Sequence, residues 1–387
     1  MGNASIVGIG STAFGRQEDR DIVSLAVEAA EAAILESGID RARIGAVYLG
    51  NFIAGPLTGQ EVLAGLVADN LGLENVPCTK VEGACASGGI AFRHGVLSVR
   101  GGGCDAVLVV GVEKMSGAPT EATTAALNCA MDNRSDGVTG LTFPGLFGMA
   151  WRVYERRYGL GRDQVSAVVR KNKANGLKNP LAQMGRDLSD DEIAQSPLIC
   201  DPMRLFDCCP TSDGAAALVI AGDGGAGEGA PPPVRVMASA QTRGAARIAG
   251  HGDLCSFDAT VSAARLACGE AGIAPGEVDV VELHDCFSVA EITDAAIIGL
   301  MPRGHGAGWA AEGRTAVGGD CPINPSGGLL AKGHPVGATG IGQLYETTLQ
   351  LRGTHPNQVR DAAIGLTHNL GGTGVACTVN ILGRADA

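Results

Sequence analysis

The sequence predicts an α/β protein built from two related βαβ-rich halves, and three observations carry that prediction. Glycine supplies 59 of 387 residues, hydrophobic residues 45% and charged residues only 18%, which is the composition of a tightly packed α/β chain and not of a disordered or fibrous one. The length exceeds what one core usually fills, about 150 residues per domain, so two core-forming units are expected. The chain also repeats itself. Residues 36–51 align without gaps on 270–285 (270 − 36 = 234), 88–101 on 340–353 (340 − 88 = 252) and 214–220 on 374–380 (374 − 214 = 160). Three echoes in the same chain order point to duplication.

Each element follows from its pattern. Residues 36–51 and 270–285 both read as the end of an amphipathic helix, a Gly-Ile turn and a buried strand, at 44–49 and 278–283. Residues 88–101 and 340–353 read as helices rich in small residues, pairing Phe92 with Leu344 and Arg100 with Arg352. The shorter last offset implies an insertion in the first copy. The expected organisation is therefore 1–115 as the first part of the N-terminal half, 116–206 as an inserted loop domain, 207–222 as the return strand, and 223–387 as the C-terminal half. Residues 222–233, rich in glycine and proline, form the linker.

Charge narrows the function. With 29 Lys and Arg against 41 Asp and Glu the net is −12, which argues against a general nucleic-acid binder, since phosphate backbones need a basic face. The exception is residues 152–178 in the insertion, with eight basic and two acidic residues. That run reads as a solvated helix face or as a landing surface for an anionic ligand. The twelve cysteines show no Cys-x-x-Cys and no zinc-site Cys/His spacing, and Cys208 and Cys209 are adjacent; the expectation is reduced thiols in a cytoplasmic protein without a structural metal. A metal site built on Cys208, Cys209 and His284 has no ligand spacing behind it. No signal core and no apolar run of roughly 20 residues is present, so no membrane association is expected.

Strand ends and helix N-termini are where α/β folds place ligands. In the first half that corner is Val81-Glu-Gly-Ala-Cys85-Ala-Ser87-Gly-Gly-Ile, followed by a helix through Val99. Unpaired N–H groups and the helix dipole there favour a thiolate, so a lowered Cys85 pKa is expected. The second half offers three polar corners: His284-Asp-Cys286-Phe287, Gly333-His334-Pro335 and His368-Asn369-Leu-Gly-Gly372. A histidine beside Cys85 would take its proton, and histidines or backbone amides would hold a thioester oxygen as it becomes an oxyanion. His94, His251, His305 and His355 lack such settings and read as structural.

Four segments carry a resemblance. Cys85-Ala-Ser87, Ser212-Asp-Gly-Ala-Ala-Ala217, His284-Asp-Cys-Phe287 and Asn324-Pro-Ser-Gly-Gly-Leu-Leu-Ala-Lys-Gly-His334-Pro-Val-Gly-Ala-Thr-Gly340 resemble the thiolase superfamily in its sterol-carrier-protein-type branch. The likeness runs from Ile6 to Ile381 and includes Lys171-Asn-Lys-Ala-Asn-Gly-Leu-Lys-Asn-Pro180. The cysteine motif is short, whereas the Gly-His-Pro block is specific.

The resemblance implies a five-layer αβαβα fold, a homodimer or tetramer, and an acetyl-CoA C-acyltransferase that acts on acyl-CoA and coenzyme A with no permanently bound cofactor. It makes Cys85 the acyl-carrying nucleophile and His334 its activator. His284 completes an oxyanion hole where many thiolases have an asparagine, and Cys286 moves the proton at the second substrate's α-carbon. The N–H groups of Cys85 and of the turn holding Leu370, Gly371 and Gly372 form the other oxyanion hole. Phe147, Met149 and Phe287 would line the acyl or pantetheine path, and the basic insertion would hold the nucleotide. One departure stands out: His368 occupies the position of the cysteine in the usual C-terminal Cys-x-Gly, so either Cys286 or His368 is the second acid/base or the carbon-carbon bond step has changed. The alternatives are an acyltransferase to a non-CoA acceptor, a thiolase-like aldolase, and a subunit working with a small zinc-ribbon/OB-fold acyl-CoA-binding protein.

Overall fold

The computed structural model describes residues 2–385. The first half runs β1 (Ser5–Ser11), α1 (Ile22–Ser37), β2 (Ile44–Gly50), α2 (Ala54–Thr58), α3 (Leu63–Asn70), β3 (Cys78–Val81), α4 (Ser87–Arg100) and β4 (Ala106–Glu113). Next come α5 (Thr120–Asn128), α6 (Phe143–Tyr158), α7 (Arg162–Lys178), α8 (Asp190–Gln195) and the hairpin β5 (Leu198–Cys200) and β6 (Met203–Arg204). The chain returns through β7 (Gly214–Ala221). The second half is β8 (Val234–Arg243), α9 (Asp258–Ala271), β9 (Val280–Glu282), α10 (Ser288–Ile298), α11 (Gly306–Ala311), α12 (Gly328–Ala331), α13 (Thr339–Arg352), β10 (Ile364–Gly371) and β11 (Ala376–Arg384). The offset of 252 found in the sequence carries α4 onto α13 residue for residue.

Strand order repeats as well. One half-sheet is β3-β2-β4-β7-β1 and the other β9-β10-β11-β8, joined edge to edge where β1 meets β8 over two residue pairs, Ser5 with Arg235 and Ile6 with Val234. In both halves the first and last strands pair antiparallel with the return strand, while β2 and β4, like β9 and β10, run parallel. A bridge between Val281 and Ile323 stands where β3 stands in the first half.

The layers follow from which faces are apolar. Helix α1, with Leu25, Ala26, Ala29, Ala30 and Ala33 buried, and α3 cover one face of the first half-sheet. Helices α4 and α13 lie between the half-sheets, bringing Phe92, Val96, Ile341 and Leu344 into one core with β1, β4, β7 and β8. Helices α9 and α10 cover the far face of the second. Strands β4 and β7, covered on both faces, are buried throughout and read as continuous apolar runs. Helices α6 and α7 of the insertion join the second-half core through Leu146, Trp151, Tyr154 and Val168.

The central pair of helices meets closely at its N-termini because the contact residues are glycines. A Cβ on Gly88 would stand 2.9 Å from the Gly337 carbonyl, and one on Gly340 would stand 2.5 Å from the Gly89 nitrogen. That approach brings the loop before α4, with Cys85, against the loop before α13, with His334.

Below these loops, Lys332 Nζ lies 2.6 Å from Glu346 Oε1 and His355 Nε2 lies 2.9 Å from Oε2, all three buried. Burial alone would raise the Glu346 carboxyl; the Lys332 charge and the His355 hydrogen bond outweigh it and hold the group at about 2. A folded value below the ordinary 4.5 means that its stabilisation is present above about pH 4.5 and is lost as pH falls toward about 2. Glu346→Gln is therefore expected to cost about 3–5 kcal/mol at neutral pH by leaving Lys332 buried without a counter-charge. In urea unfolding the deficit should shrink in acid, where the wild-type carboxyl is itself protonated.

Candidate active site

Cys85 sits in a short 3-10 turn, Ala84–Ala86, at the entry to α4. Ala84 adopts a positive φ of 51°, a backbone strain of the kind that clusters at functional sites. Its Sγ is 3.3 Å from His334 Nε2, and the N–H groups of Gly372 and of Cys85 itself face the sulfur.

The network around His334 fixes its tautomer. Thr339 Oγ1 donates to the Pro335 carbonyl at 3.0 Å and lies 2.7 Å from His334 Nδ1. The hydroxyl has one proton, so it accepts from Nδ1–H and leaves the Nε2 lone pair toward the cysteine. The His334 backbone N–H donates to Ser212 Oγ at 3.1 Å. Farther along the loop, Gly337 N–H donates to Glu113 Oε2 at 3.0 Å, and Glu113 also accepts from Phe52 N, Ile53 N and Asn51 Nδ2. This one buried carboxyl at the end of β4 ties together the loops after β2 and before α13. Removing only the Thr339 hydroxyl, as Thr339→Val, frees the imidazole to turn; single-turnover acylation is expected to slow about 10²-fold with unchanged substrate affinity.

Charge states differ from the sequence expectation. Burial pushes the Cys85 thiol up to about 12, with the Gly372 and Cys85 N–H groups opposing and Glu113 and Glu82 adding to the rise. Burial pushes His334 down to about 3. The pair rests as neutral thiol and neutral imidazole, so the helix-end effect does not produce a resting thiolate here; desolvation is the larger force.

Both groups open onto a cavity of about 280 Å³, lined by Phe52, Phe143, Phe147, Phe287, Leu127 and Val336 among others, with His284, Cys286, Cys208 and Cys209 on its wall. The His284 ring stands edge-on to His334 with centroids 5.1 Å apart. Its pKa lies well below the ordinary value through burial first, then the nearby His334 and His368. Burial also raises the Cys286 thiol well above the ordinary value, with Cys209 and Cys85 next in effect. Phe147 and Phe287 pack on each other at 4.7 Å.

Three expected positions lie elsewhere. Met149 is 39% exposed and is not on the cavity wall; two residues along a helix turn a side chain by about 200°, which points it away when Phe147 points in. Gly371 packs its backbone on Gly83, where a Cβ would be 2.2 Å from the carbonyl, while Gly372 reaches the cavity. His368 is buried on β10 with Nε2 3.0 Å from Thr260 Oγ1 of α9, away from the cavity wall. Five of the eight cations of the basic run meet carboxylates within the chain. Seven of the eight are engaged: Arg152 with Glu155 and Asp201, Arg157 with Asp253, Arg162 with Asp207, Arg170 with Asp190, Lys171 with Glu291, Lys173 with the Leu330 carbonyl, and Lys178 with Asn357.

Sequence reasoning missed Cys208 and Cys209 as cavity residues, and Glu113, Ser212 and Thr339 as supports. For Glu113 a signal exists: it is the one charged residue closing an otherwise apolar strand.

The family description "Thiolase, N-terminal domain" matches residues 4–223, and "Thiolase C-terminal domain-like" matches 240–384. The chain belongs to the thiolase family. This thiolase is 41% identical over 385 residues to the acetyl-CoA acetyltransferase of Methanothermobacter thermautotrophicus, covering 99% of this chain and 100% of that one. It is 32% identical to sterol carrier protein 2 of Bos taurus, across 99% of this chain and 73% of that one. Among solved structures it superimposes on the Ltp2-ChsH2(DUF35) aldolase with a TM-score of 0.87 at 25% identity, covering 100% and 99% of the two chains. The duplicated five-layer fold and the sterol-carrier-protein-type branch expected from the sequence are thus those of a thiolase-type acyltransferase. No helix of the described residues is long and apolar enough to cross a membrane.

Proposed function

We propose that this thiolase is an acetyl-CoA C-acyltransferase that carries its acyl group on Cys85, with coenzyme A thioesters as substrates. The observation that carries the reading is the 3.3 Å contact of Cys85 Sγ with an Nε2 left unprotonated by the Thr339 network. The relatives named acetyl-CoA acetyltransferase support the acetyl specificity.

In the cleavage direction, Cys85 Sγ attacks the keto carbon of a 3-ketoacyl-CoA and its proton passes to His334 Nε2. The oxyanion takes hydrogen bonds from Cys85 N–H and Gly372 N–H, preorganised donors of the kind that contribute most to acyl transfer. The carbon-carbon bond breaks, and its electron pair goes to the α-carbon of the departing acyl-CoA, which takes the Cys286 proton; His284 stands beside that thioester oxygen. Coenzyme A then enters, its thiol proton restores Cys286, and its sulfur attacks the acyl-Cys85 carbonyl. Cys85 leaves and recovers its proton from His334. Synthesis is the same path reversed.

Intact-protein mass after brief exposure to acetyl-CoA tests the reading: one acetyl adduct on the peptide holding Cys85 is expected. An unmodified protein with both acetyl-CoA and a longer acyl-CoA would overturn it. That outcome favours a second reading, suggested by the likeness to an aldolase solved with a DUF35 chain: cleavage of a β-hydroxyacyl thioester without an acyl-enzyme, in company with a small zinc-ribbon/OB-fold partner.

A further inference from the structure

The cluster at the cavity floor has the donor set of a metal site as well as that of a nucleophile and base. One ligand atom from each of Cys85, His284 and His334 lies within 4.8 Å of the other two, and Cys85 Sγ is 3.3 Å from His334 Nε2. A sulfur and two uncharged imidazoles are what Zn²⁺ and similar thiophilic cations select, whereas Mg²⁺ and Ca²⁺ require oxygen. Bonds of about 2.3 Å to sulfur and about 2.0–2.1 Å to nitrogen need the widest pair to close by about 1 Å. No hydrogen bond among the described residues holds His284 at Nδ1, so of the two rings it is the one that can turn without breaking a bond there. His334 is held the opposite way. Thr339 fixes its Nδ1, the outer-shell support that metal-bound imidazoles typically have, and Nε2 is left for a ligand bond. All three residues line the cavity, so water has room to complete a tetrahedral set.

We propose that a thiophilic divalent cation of the Zn²⁺ type binds Cys85, His284 and His334, and that this binding and acylation of Cys85 exclude each other. On binding, the Cys85 S–H bond breaks and its proton leaves to solvent. The sulfur electron pair that would attack a carbonyl forms the metal–sulfur bond instead. The metal-loaded protein is therefore held inactive and returns to the competent state when a chelator removes the cation. Cys208 and Cys209 lie on the same wall but belong to no such cluster with the two imidazoles, so they are not ligands.

Co²⁺, added to chelator-treated full-length protein, serves as the spectroscopic probe. A single equivalent is expected to give a sulfur-to-cobalt charge-transfer band and the strong visible bands of four-coordinate Co²⁺, both displaced by Zn²⁺. Cys85→Ala should lose the charge-transfer band, His284→Asn should weaken binding about tenfold or more, and the Cys208→Ser/Cys209→Ser double variant should keep the band. On the wild-type protein, which needs no variant to fold, Zn²⁺ should block alkylation of Cys85 by iodoacetamide and a chelator should restore it. Absence of the band, its survival in Cys85→Ala, its loss in the double variant, or unprotected alkylation would each overturn the proposal. Failure of the acyl-transfer reading looks different: no acyl adduct forms, yet the cobalt spectrum is intact.

Discussion

Cys85→Ala is expected to lower turnover about 10⁴-fold or more and to remove the acyl adduct, while leaving the thermal midpoint close to wild type because the side chain borders a cavity. The magnitude follows from geometry. Cys85 Sγ is the one cavity sulfur that has a neutral imidazole nitrogen at 3.3 Å and two backbone N–H groups directed at it, so no neighbour can substitute for it. Charge adds a second expectation for the wild type. With the thiol raised to about 12 by burial and the imidazole lowered to about 3 by burial, the pair rests uncharged over the whole neutral range, and proton transfer waits for a carbonyl to accept the sulfur. Alkylation of Cys85 without substrate should thus rise about tenfold per pH unit with no plateau near the ordinary thiol value. A plateau at or below neutral pH would show a resting thiolate–imidazolium pair and contradict the electrostatics. An active Cys85→Ala protein that releases ketone from a β-hydroxyacyl thioester would move the protein to the aldolase reading.

What the sequence made legible depended on how local the cause was. Duplication was visible because equivalent positions keep equivalent residues: the glycine-opened helices at 88–101 and 340–353 are α4 and α13, and their crossing is what unites Cys85 with His334. The direction of the Cys85 shift was not visible, because a helix end shows in the sequence whereas desolvation depends on everything packed over it. Thr339, Ser212 and Glu113 escaped for a related reason. Their hydrogen bonds are individually ordinary, and for Ser212 and Glu113 the partners lie 122 and 224 residues away in the chain. The basic run in α6 and α7 gave a charge count without showing that Asp201, Asp207, Asp253 and Glu291 would meet it. The resemblance puts Met149 beside Phe147 on the substrate path, but the helix sets the two on different faces and only Phe147 lines the cavity.

Cys286→Ala is expected to separate the two half-reactions. The acyl-enzyme should still form from acetyl-CoA, since Cys85, His334 and both N–H donors are intact, but carbon-carbon bond formation and cleavage should fall about 10²–10⁴-fold, the usual worth of a positioned acid or base. Exchange of the α-hydrogens of acetyl-CoA with deuterated solvent reads the same step and should fall in parallel. His368 is the competing candidate, and the structure argues against it by position. It is buried on β10, its Nε2 is engaged by Thr260 of α9, burial holds it neutral at about 3, and it does not line the cavity. Cys286 shares the cavity wall with Cys85 and His284, and its thiol, raised by burial, keeps its proton until a carbanion forms to take it. His368→Asn should accordingly leave α-hydrogen exchange within a few-fold of wild type. If the two variants behave the other way round, with exchange lost in His368→Asn and kept in Cys286→Ala, the histidine is the acid/base and the loop after β9 must rearrange when substrate binds.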